Sequence, residues 1–342
     1  MSVRNPHSKT QHIDACLTSA CEYKKTAGFE NYEFENQALC EVSLEDIDIS
    51  TQLAGKSVKA PLMISPMTGG VERAQQINEI LASAAEKWQL PMGVGSQRVG
   101  IENEECAQYF EIRKHAPTTF IFANIGGAQL VKGWGVDHAL KAVDMVKADA
   151  LFLHLNPIQE AIQGGDQDFR GLGEKIADLC KALKGKVPVF AREVGFGVSQ
   201  NDAKRLVDAG IYGIDCAGAG GTSWAKVEGI CAKSERRRLM GEVFGEWGIP
   251  TAKAIKNVRA ISADIPLIAT GGLRSGVDVA KAIALGADIG SMARPFLMAA
   301  HEDRIEAFIE RTLTELRICM FGIGAKRLEQ LKDTPFLIKS LD

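Results

Sequence analysis

The chain has 342 residues, 40 basic against 43 acidic, for a formal charge of −3, a balance that argues against a nucleic-acid surface. No apolar run reaches the about 18 residues a membrane helix needs, and the opening Met1-Ser2-Val3-Arg4-Asn5-Pro6 has no hydrophobic signal core. The eight cysteines contain no Cys-x-x-Cys pair, so neither a zinc site nor a secreted disulfide framework is signalled; a soluble, cytoplasmic protein with cysteines as small core fillers is expected.

Residues 1–60 read as a polar N-terminal arm. Lys9 and His12 lie one helical turn apart, Gly28-Phe29-Glu30-Asn31-Tyr32 reads as an ordered loop, and 44–49 alternates apolar and acidic residues as a short flanking strand would. Such an arm either packs outside the main body or folds over its mouth.

From residue 61 onward, short apolar runs alternate with stretches of helical spacing. The runs 61–65, 90–96, 120–124, 150–156, 187–193, 212–216, 266–270 and 288–293 read as buried strands. Between them 73–88, 136–147, 172–183, 201–209 and 277–285 place apolar residues at helical intervals. Eight strand–helix units predict a (β/α)8 TIM barrel over 61–300, followed by a C-terminal helical tail over 301–342, all in one domain. The active site of that fold lies at the C-terminal ends of the strands, which makes the residues ending each run the candidates.

The first run leads into Pro66-Met67-Thr68-Gly69-Gly70 and the second into Gly95-Ser96-Gln97-Arg98. The planar fork of Arg98 matches phosphate geometry, or it pairs with Glu102 or Glu104 nearby. Asn124 ends the third run. In the fourth, alternation sends His154 and Asn156 to one side and Pro157 stops the strand before Gln159 and Glu160. An imidazole, two amides and a carboxylate can hold a diphosphate with magnesium, which favours one or two carboxylates plus phosphate oxygens. Equally, His154 could be a hydrogen-bonded core histidine and Glu160 a solvated helix charge.

Arg192 ends the fifth run and needs an anionic partner inside an apolar barrel; Glu193 or an anionic cofactor ring would serve. After the sixth run, Ala217-Gly218-Ala219-Gly220-Gly221-Thr222-Ser223-Trp224 is too glycine-rich for a helix. Its backbone could lie against a planar ligand or a phosphate, or hinge the long insertion over 218–250, whose Glu235-Arg236-Arg237-Arg238 reads as a solvated patch. Thr270-Gly271-Gly272-Leu273-Arg274 and Ser291-Met292-Ala293-Arg294 follow the last two runs, at the usual phosphate position of the fold; the glycines alone could also mark only a tight turn.

Taken together, Met67-Thr68-Gly69-Gly70, Gly95-Ser96-Gln97-Arg98, Ala123-Asn124-Ile125-Gly126, His154-Leu155-Asn156 with Gln159-Glu160, Glu193-Val194-Gly195, the loop 218–224, Gly248-Ile249-Pro250-Thr251 and Gly271-Gly272 resemble, in order, the flavin-dependent type 2 isopentenyl diphosphate isomerases. The resemblance implies reduced FMN, magnesium, and reversible conversion of isopentenyl to dimethylallyl diphosphate, with NADPH serving only to reduce the flavin. It further implies a homo-oligomer, a tetramer. By the same resemblance Pro66, Met67, Thr68, Ser96, Asn124, Arg192, Ala217, Thr222, Gly271, Gly272, Arg274, Ala293 and Arg294 surround the flavin. Lys9, His12, Ser96, Gln97, Arg98, Asn156 and Gln159 hold substrate, His154 and Gln159 are catalytic, and Glu160 binds magnesium. The chain departs from the pattern at Ser8, where an arginine is usual, at Arg192, which replaces a lysine, and at Pro66 and Ala217, which replace an alanine and a serine near the flavin.

Two other readings use the same barrel. A flavin-dependent 2-hydroxy acid oxidoreductase needs a histidine base after the sixth strand, and the loop Cys216-Ala217-Gly218-Ala219-Gly220 has none. A sensor or scaffold that binds flavin without turnover is favoured by Ser8 and disfavoured by the intact His154, Asn156, Gln159 and Glu160.

Overall fold

Eight parallel strands close into a barrel in this computed structural model, which describes residues 6–332 and 334–340, and of residues 6–8 the backbone alone. They are β1 (Leu62–Ile64), β2 (Met92–Gly93), β3 (Ile121–Gly126), β4 (Ala150–Leu155), β5 (Val189–Glu193), β6 (Gly213–Asp215), β7 (Leu267–Thr270) and β8 (Ile289–Met292). Each falls within one of the eight apolar runs or overlaps it. Closure comes from β8 pairing with β1, Gly290 opposite Leu62 and Met292 opposite Ile64. The helices Glu72–Trp88, Val136–Val146, Leu172–Leu183, Gln200–Asp208 and Gly276–Ala284 match the helical stretches to within a residue at each end.

Strand parity divides the barrel interior into two layers. Met63, Phe122, Phe152, Phe190, Ile268 and Ile289 form an apolar floor, with Phe122 and Phe152 stacked at 4.0 Å between ring centroids. Gly213 gives Phe190 its room: a Cβ there would lie 2.2 Å from the ring. Two residues further along each strand, the same inward parity carries Ser65, Asn124, His154, Arg192, Asp215, Thr270 and Ser291, a polar layer facing the C-terminal mouth. Outward residues such as Leu62, Leu151, Leu153, Ala191 and Leu267 pack against the helices in the larger core. A hairpin of Thr51–Leu53 with Lys56–Val58 sends Leu53 and Val58 into the floor and closes the opposite end.

The arm and tail differ from expectation in two places. Residues 44–46 form a 3-10 turn, with the Ser43 hydroxyl accepting from Glu45 N, and the strand lies later, at Thr51–Leu53. Acidic residues at 45 and 46 favour a capped turn over a buried ladder. The tail is helical over Ile305–Gly322 and Leu328–Lys332, then forms a strand, Leu337–Lys339, that pairs antiparallel with Tyr32–Phe34 of the arm. Among the described residues no helix is long and apolar enough to cross a membrane.

Candidate functional site

A cavity of about 1640 Å3, its open mouth included, sits on the polar layer. The N-terminal arm contributes to this space. Its helix Pro6–Leu17 lies across the mouth and contributes Lys9, His12, Ile13 and Cys16 to the wall.

Pro66, Met67, Thr68, Ser96, Asn124, Arg192, Ala217, Thr222, Gly271, Gly272, Arg274, Ala293 and Arg294, together with Lys9, His12, His154 and Gln159, line this one space. Gln97, Arg98, Asn156 and Glu160 do not. Gln97 is fully buried with its amide donating to Ala142 O at 2.8 Å and accepting from Asn124 N at 2.8 Å. It braces the end of β3 and does not line the cavity. The Arg98 guanidinium donates to Glu102 at 2.9 Å and to Asp166 at 2.7 Å, so the acidic partner anticipated at Glu102 is present. Ser8 falls outside the residues whose side chains are described.

The β7 and β8 loops combine close backbone with positive charge. Gly271, at φ +105°, lies so near the loop after β6 that a Cβ would sit 2.0 Å from Gly218 O, and Gly221 meets Gly272 N at 2.6 Å by the same test. Only glycine permits that approach. Arg274 and Arg294 flank these loops, and both pair with Glu22 from the arm, Arg294 at 2.9 Å. The carboxylate occupies an anion position that phosphate chemistry would suit.

On the opposite wall a polar chain runs from arm to barrel. His12 Nε2 lies 3.4 Å from Glu228 Oε2 and meets Trp224 edge-on, 5.5 Å between ring centroids. Gln159 Nε2 donates to Glu228 Oε1 at 2.8 Å, and Asn156 Nδ2 donates to Gln159 Oε1 at 3.0 Å and to Glu160 Oε1 at 3.1 Å. Glu160 Oε2 accepts from Asp166 N at 2.7 Å, and Asp166 returns the chain to Arg98. The carboxylates fix both amides in one orientation. Asn156 Oδ1 is left buried with no hydrogen-bond partner, and so is Gln163 Oε1 in the cavity wall one turn beyond Gln159. His154 Nδ1 lies 2.8 Å from Asn124 Oδ1, while Asn124 Nδ2 donates to Val94 O at 3.0 Å. Since Oδ1 can only accept, Nδ1 carries the proton. Lys9 Nζ donates to Gly69 O and reaches Ser96 O at 3.5 Å.

Arg192 pairs with Asp215 of β6, and its second nitrogen donates to Ser65 Oγ at 2.8 Å. The Thr270 hydroxyl and Ala217 N complete the carboxylate's shell at 3.0 and 3.2 Å. Burial pushes the Asp215 carboxyl up, and the guanidinium pulls it back. Glu193 is not the partner. Parity turns it outward, where one oxygen accepts from Val194, Gly195, Phe196 and Gly197 N–H groups, and burial lifts its carboxyl to about 7 against those donors.

Asp215, Glu228 and Glu22 were not anticipated from the sequence. Asp215 shares inward parity with Arg192 and was within reach of that rule. Glu228 follows Trp224 by one helical turn, and Glu22 belongs to an arm whose position no local pattern fixes.

Comparison with known proteins agrees with this geometry. The chain matches the FMN-dependent dehydrogenase family over residues 3–123 and 173–338. It is 49% identical over 335 residues to the isopentenyl-diphosphate delta-isomerase of Nostoc sp., covering 97% of this chain and 95% of that one. Identity to the enzyme of the same name is 50% over 320 residues in Synechococcus sp., covering 92% and 91%, and 46% over 333 residues in Xanthobacter autotrophicus, covering 96% of each. Among solved structures, flavocytochrome b2 with pyruvate bound superposes with a TM-score of 0.67 at 19% identity, covering 96% of this chain and 83% of that one. A mandelate oxidase superposes with a TM-score of 0.61 at 17% identity, covering 96% and 92%. These two likenesses establish the barrel fold alone.

Proposed function

Because this chain belongs to the isopentenyl-diphosphate delta-isomerases within the FMN-dependent dehydrogenase family, we propose that it interconverts isopentenyl and dimethylallyl diphosphate on FMN held in the strand-end cavity. The observation that carries this reading is the pairing, in one cavity, of glycine loops flanked by Arg274 and Arg294 with His12 and Gln159, which the buried Glu228, Asn156 and Glu160 behind the wall hold in orientation.

The residues present fit a flavin mononucleotide. Gly271 and Gly272 with Arg274 and Arg294 offer N–H groups and charge for a phosphate, and Met67, Leu273 and Leu297 offer apolar wall for a ring. They also fit magnesium, since Glu160 supplies one carboxylate and Asn156 Oδ1 an unpartnered buried acceptor. Among the described residues no cluster of three or more His, Cys, Asp or Glu forms a metal cage. The remaining ligands would be phosphate oxygens and water.

When bound, the electron-rich reduced ring supplies charge stabilisation and proton movement at an alkene carbon, where no side chain readily helps. The protein's own residues position. Lys9, His12 and Arg98 bind the diphosphate, whose binding energy holds the hydrocarbon tail in place; such positioning is worth about 7–11 kcal/mol in favourable cases. For Arg98 this requires the guanidinium to exchange Glu102 or Asp166 for phosphate. His154, locked by Asn124, and Gln159, locked between Asn156 and Glu228, present groups of fixed orientation to the reacting end. Arg192 offers the flavin a cation already neutralised by Asp215, hence a dipole more than a bare charge. The arm helix over the mouth excludes water from a cation-like intermediate.

NADPH as reductant and a cytoplasmic tetramer complete the proposal. Self-association is supported by the insertion after β6, where Ile230, Leu239, Met240, Val243 and Trp247 are exposed, Val243 at 70% and Trp247 at 57%. The test is a pair of assays on FMN-loaded protein. Reduced protein with magnesium should convert isopentenyl diphosphate, and oxidised protein should not be bleached by lactate, glycolate or mandelate. Bleaching without isomerisation would return the protein to the 2-hydroxy acid oxidoreductases.

A further inference from the structure

One buried carboxylate behind the cavity wall holds two cations. Asp166, only 7% exposed, lies between the helices Pro157–Gln163 and Leu172–Leu183. Its Oδ2 accepts from Arg98 Nη1 at 2.7 Å and from Gln129 Nε2 at 2.8 Å, while its Oδ1 accepts from Lys132 Nζ. Gln129 belongs to the helix Gly127–Val131 after β3, and Lys132 closes that helix with its N–H donating to Gln129 O at 3.1 Å. The backbone N–H of Asp166 meanwhile donates to Glu160 Oε2 at 2.7 Å, which ties this cluster to Asn156 and Gln159.

Neutralising one carboxylate takes one cation, and the two here are held differently. Arg98 divides its guanidinium between Asp166 and the half-exposed Glu102, 2.9 Å away and one helical turn on. Leaving Glu102 costs little, because water replaces a solvated pair. Leaving Asp166 would be costly were Arg98 its sole cation, since an anion would be stranded in the interior. Lys132 sits on the other oxygen and Gln129 shares the one that Arg98 uses, so both contacts persist when the guanidinium departs. The base of Arg98 is close to the ligand space as well. Ser96 lines the cavity, Lys9 Nζ reaches Ser96 O at 3.5 Å, and Arg98 opens the helix Arg98–Glu102 two residues further on.

We propose that Lys132 is a positioning residue for diphosphate binding: it keeps the Asp166 carboxylate neutralised while the Arg98 guanidinium turns from Asp166 to the substrate. Lys132 itself touches no phosphate oxygen. It acts by lowering what Arg98 gives up, so its charge is felt in the affinity for a diphosphate, and only while Asp166 carries the opposite charge. This rests on the assignment of Arg98 to the diphosphate in the functional reading above.

Calorimetric titration of the FMN-loaded protein with inorganic pyrophosphate and magnesium reads that affinity without turnover. Lys132→Met should raise the pyrophosphate Kd at least about tenfold, since Arg98 then has to abandon an otherwise uncompensated carboxylate. Lys132→Arg, which keeps the charge, should bind as the native protein does. Asp166→Asn combined with Lys132→Met should return the Kd to within about threefold of native, because no buried anion is left to hold Arg98, whereas a general loss of packing would add the two defects. Native affinity in Lys132→Met alongside weakened binding in Arg98→Met would overturn the role of Lys132 alone. A double variant as weak as Lys132→Met would overturn it too, by making Lys132 a direct ligand. Arg98→Met binding as tightly as the native protein would overturn the proposal together with the assignment of Arg98 on which it rests.

Discussion

Asp215 is fully buried and the Arg192 guanidinium beside it nearly so, so removing the carboxylate strands the cation. Asp215→Ala should cost about 3–5 kcal/mol in urea unfolding; a change below about 1 kcal/mol would mean that the guanidinium is satisfied elsewhere. Glu193 gives a prediction of pH. Its carboxyl rises from the ordinary 4.5 to about 7 on burial, so the folded state holds the proton more tightly than the unfolded one. Its contribution is full below pH 4.5 and is lost as pH climbs through about 7. Unfolding midpoints from about pH 5 to about pH 8 should fall in the native protein and fall less in Glu193→Gln; identical slopes would assign the trend to other groups. At Glu160, replacement by Gln should weaken magnesium-dependent turnover by at least about tenfold while flavin content stays the same. Loss of flavin with turnover unchanged would contradict the metal assignment. Alternation placed His154 in the cavity lining, and the same inward parity held Asp215 as well. Glu228 and Glu22 were not legible, because they meet Gln159 and the loop arginines through contacts of 69 and 252 residues' separation.

The strand ends are built from elements that tolerate little change. Gly271 combines φ +105° with a Cβ position 2.0 Å from Gly218 O. Gly271→Ala should therefore displace the loop after β6 or β7 and lower flavin occupancy, measured as flavin absorbance per protein; native occupancy would remove this loop from the cofactor's seat. The helices were readable from apolar residues at a 3.6-residue period and the barrel strands from short unbroken apolar runs between them. The pairing of Tyr32–Phe34 with Leu337–Lys339 was not, since three-residue strands of mixed polarity have no periodicity and their partners lie at opposite ends of the chain. The turn at Leu44–Asp46 shows the converse, a local alternation that Ser43 capping overrode.

At the scale of the molecule, the barrel was legible from strand and helix order, whereas the lie of the arm across the mouth was one of two open outcomes. Order specifies topology, but the arm's position depends on Lys9, Tyr23 and Glu22 meeting groups from distant strands. If the exposed side chains of the insertion are buried between copies, light scattering should give about four times the 36.9 kDa chain mass. Val243→Glu with Trp247→Glu should then shift the protein to smaller species, and a native monomer would refute the tetramer. The central claim is that reduced flavin and diphosphate share one cavity in a reaction that consumes no reductant. It is tested most directly by reducing the FMN-loaded protein once, without oxygen, and following isopentenyl diphosphate by proton NMR with magnesium present. Many molecules of dimethylallyl diphosphate per flavin, with the flavin still reduced at the end, is the predicted result. Product limited to one equivalent, or formed equally by the oxidised protein, would contradict it.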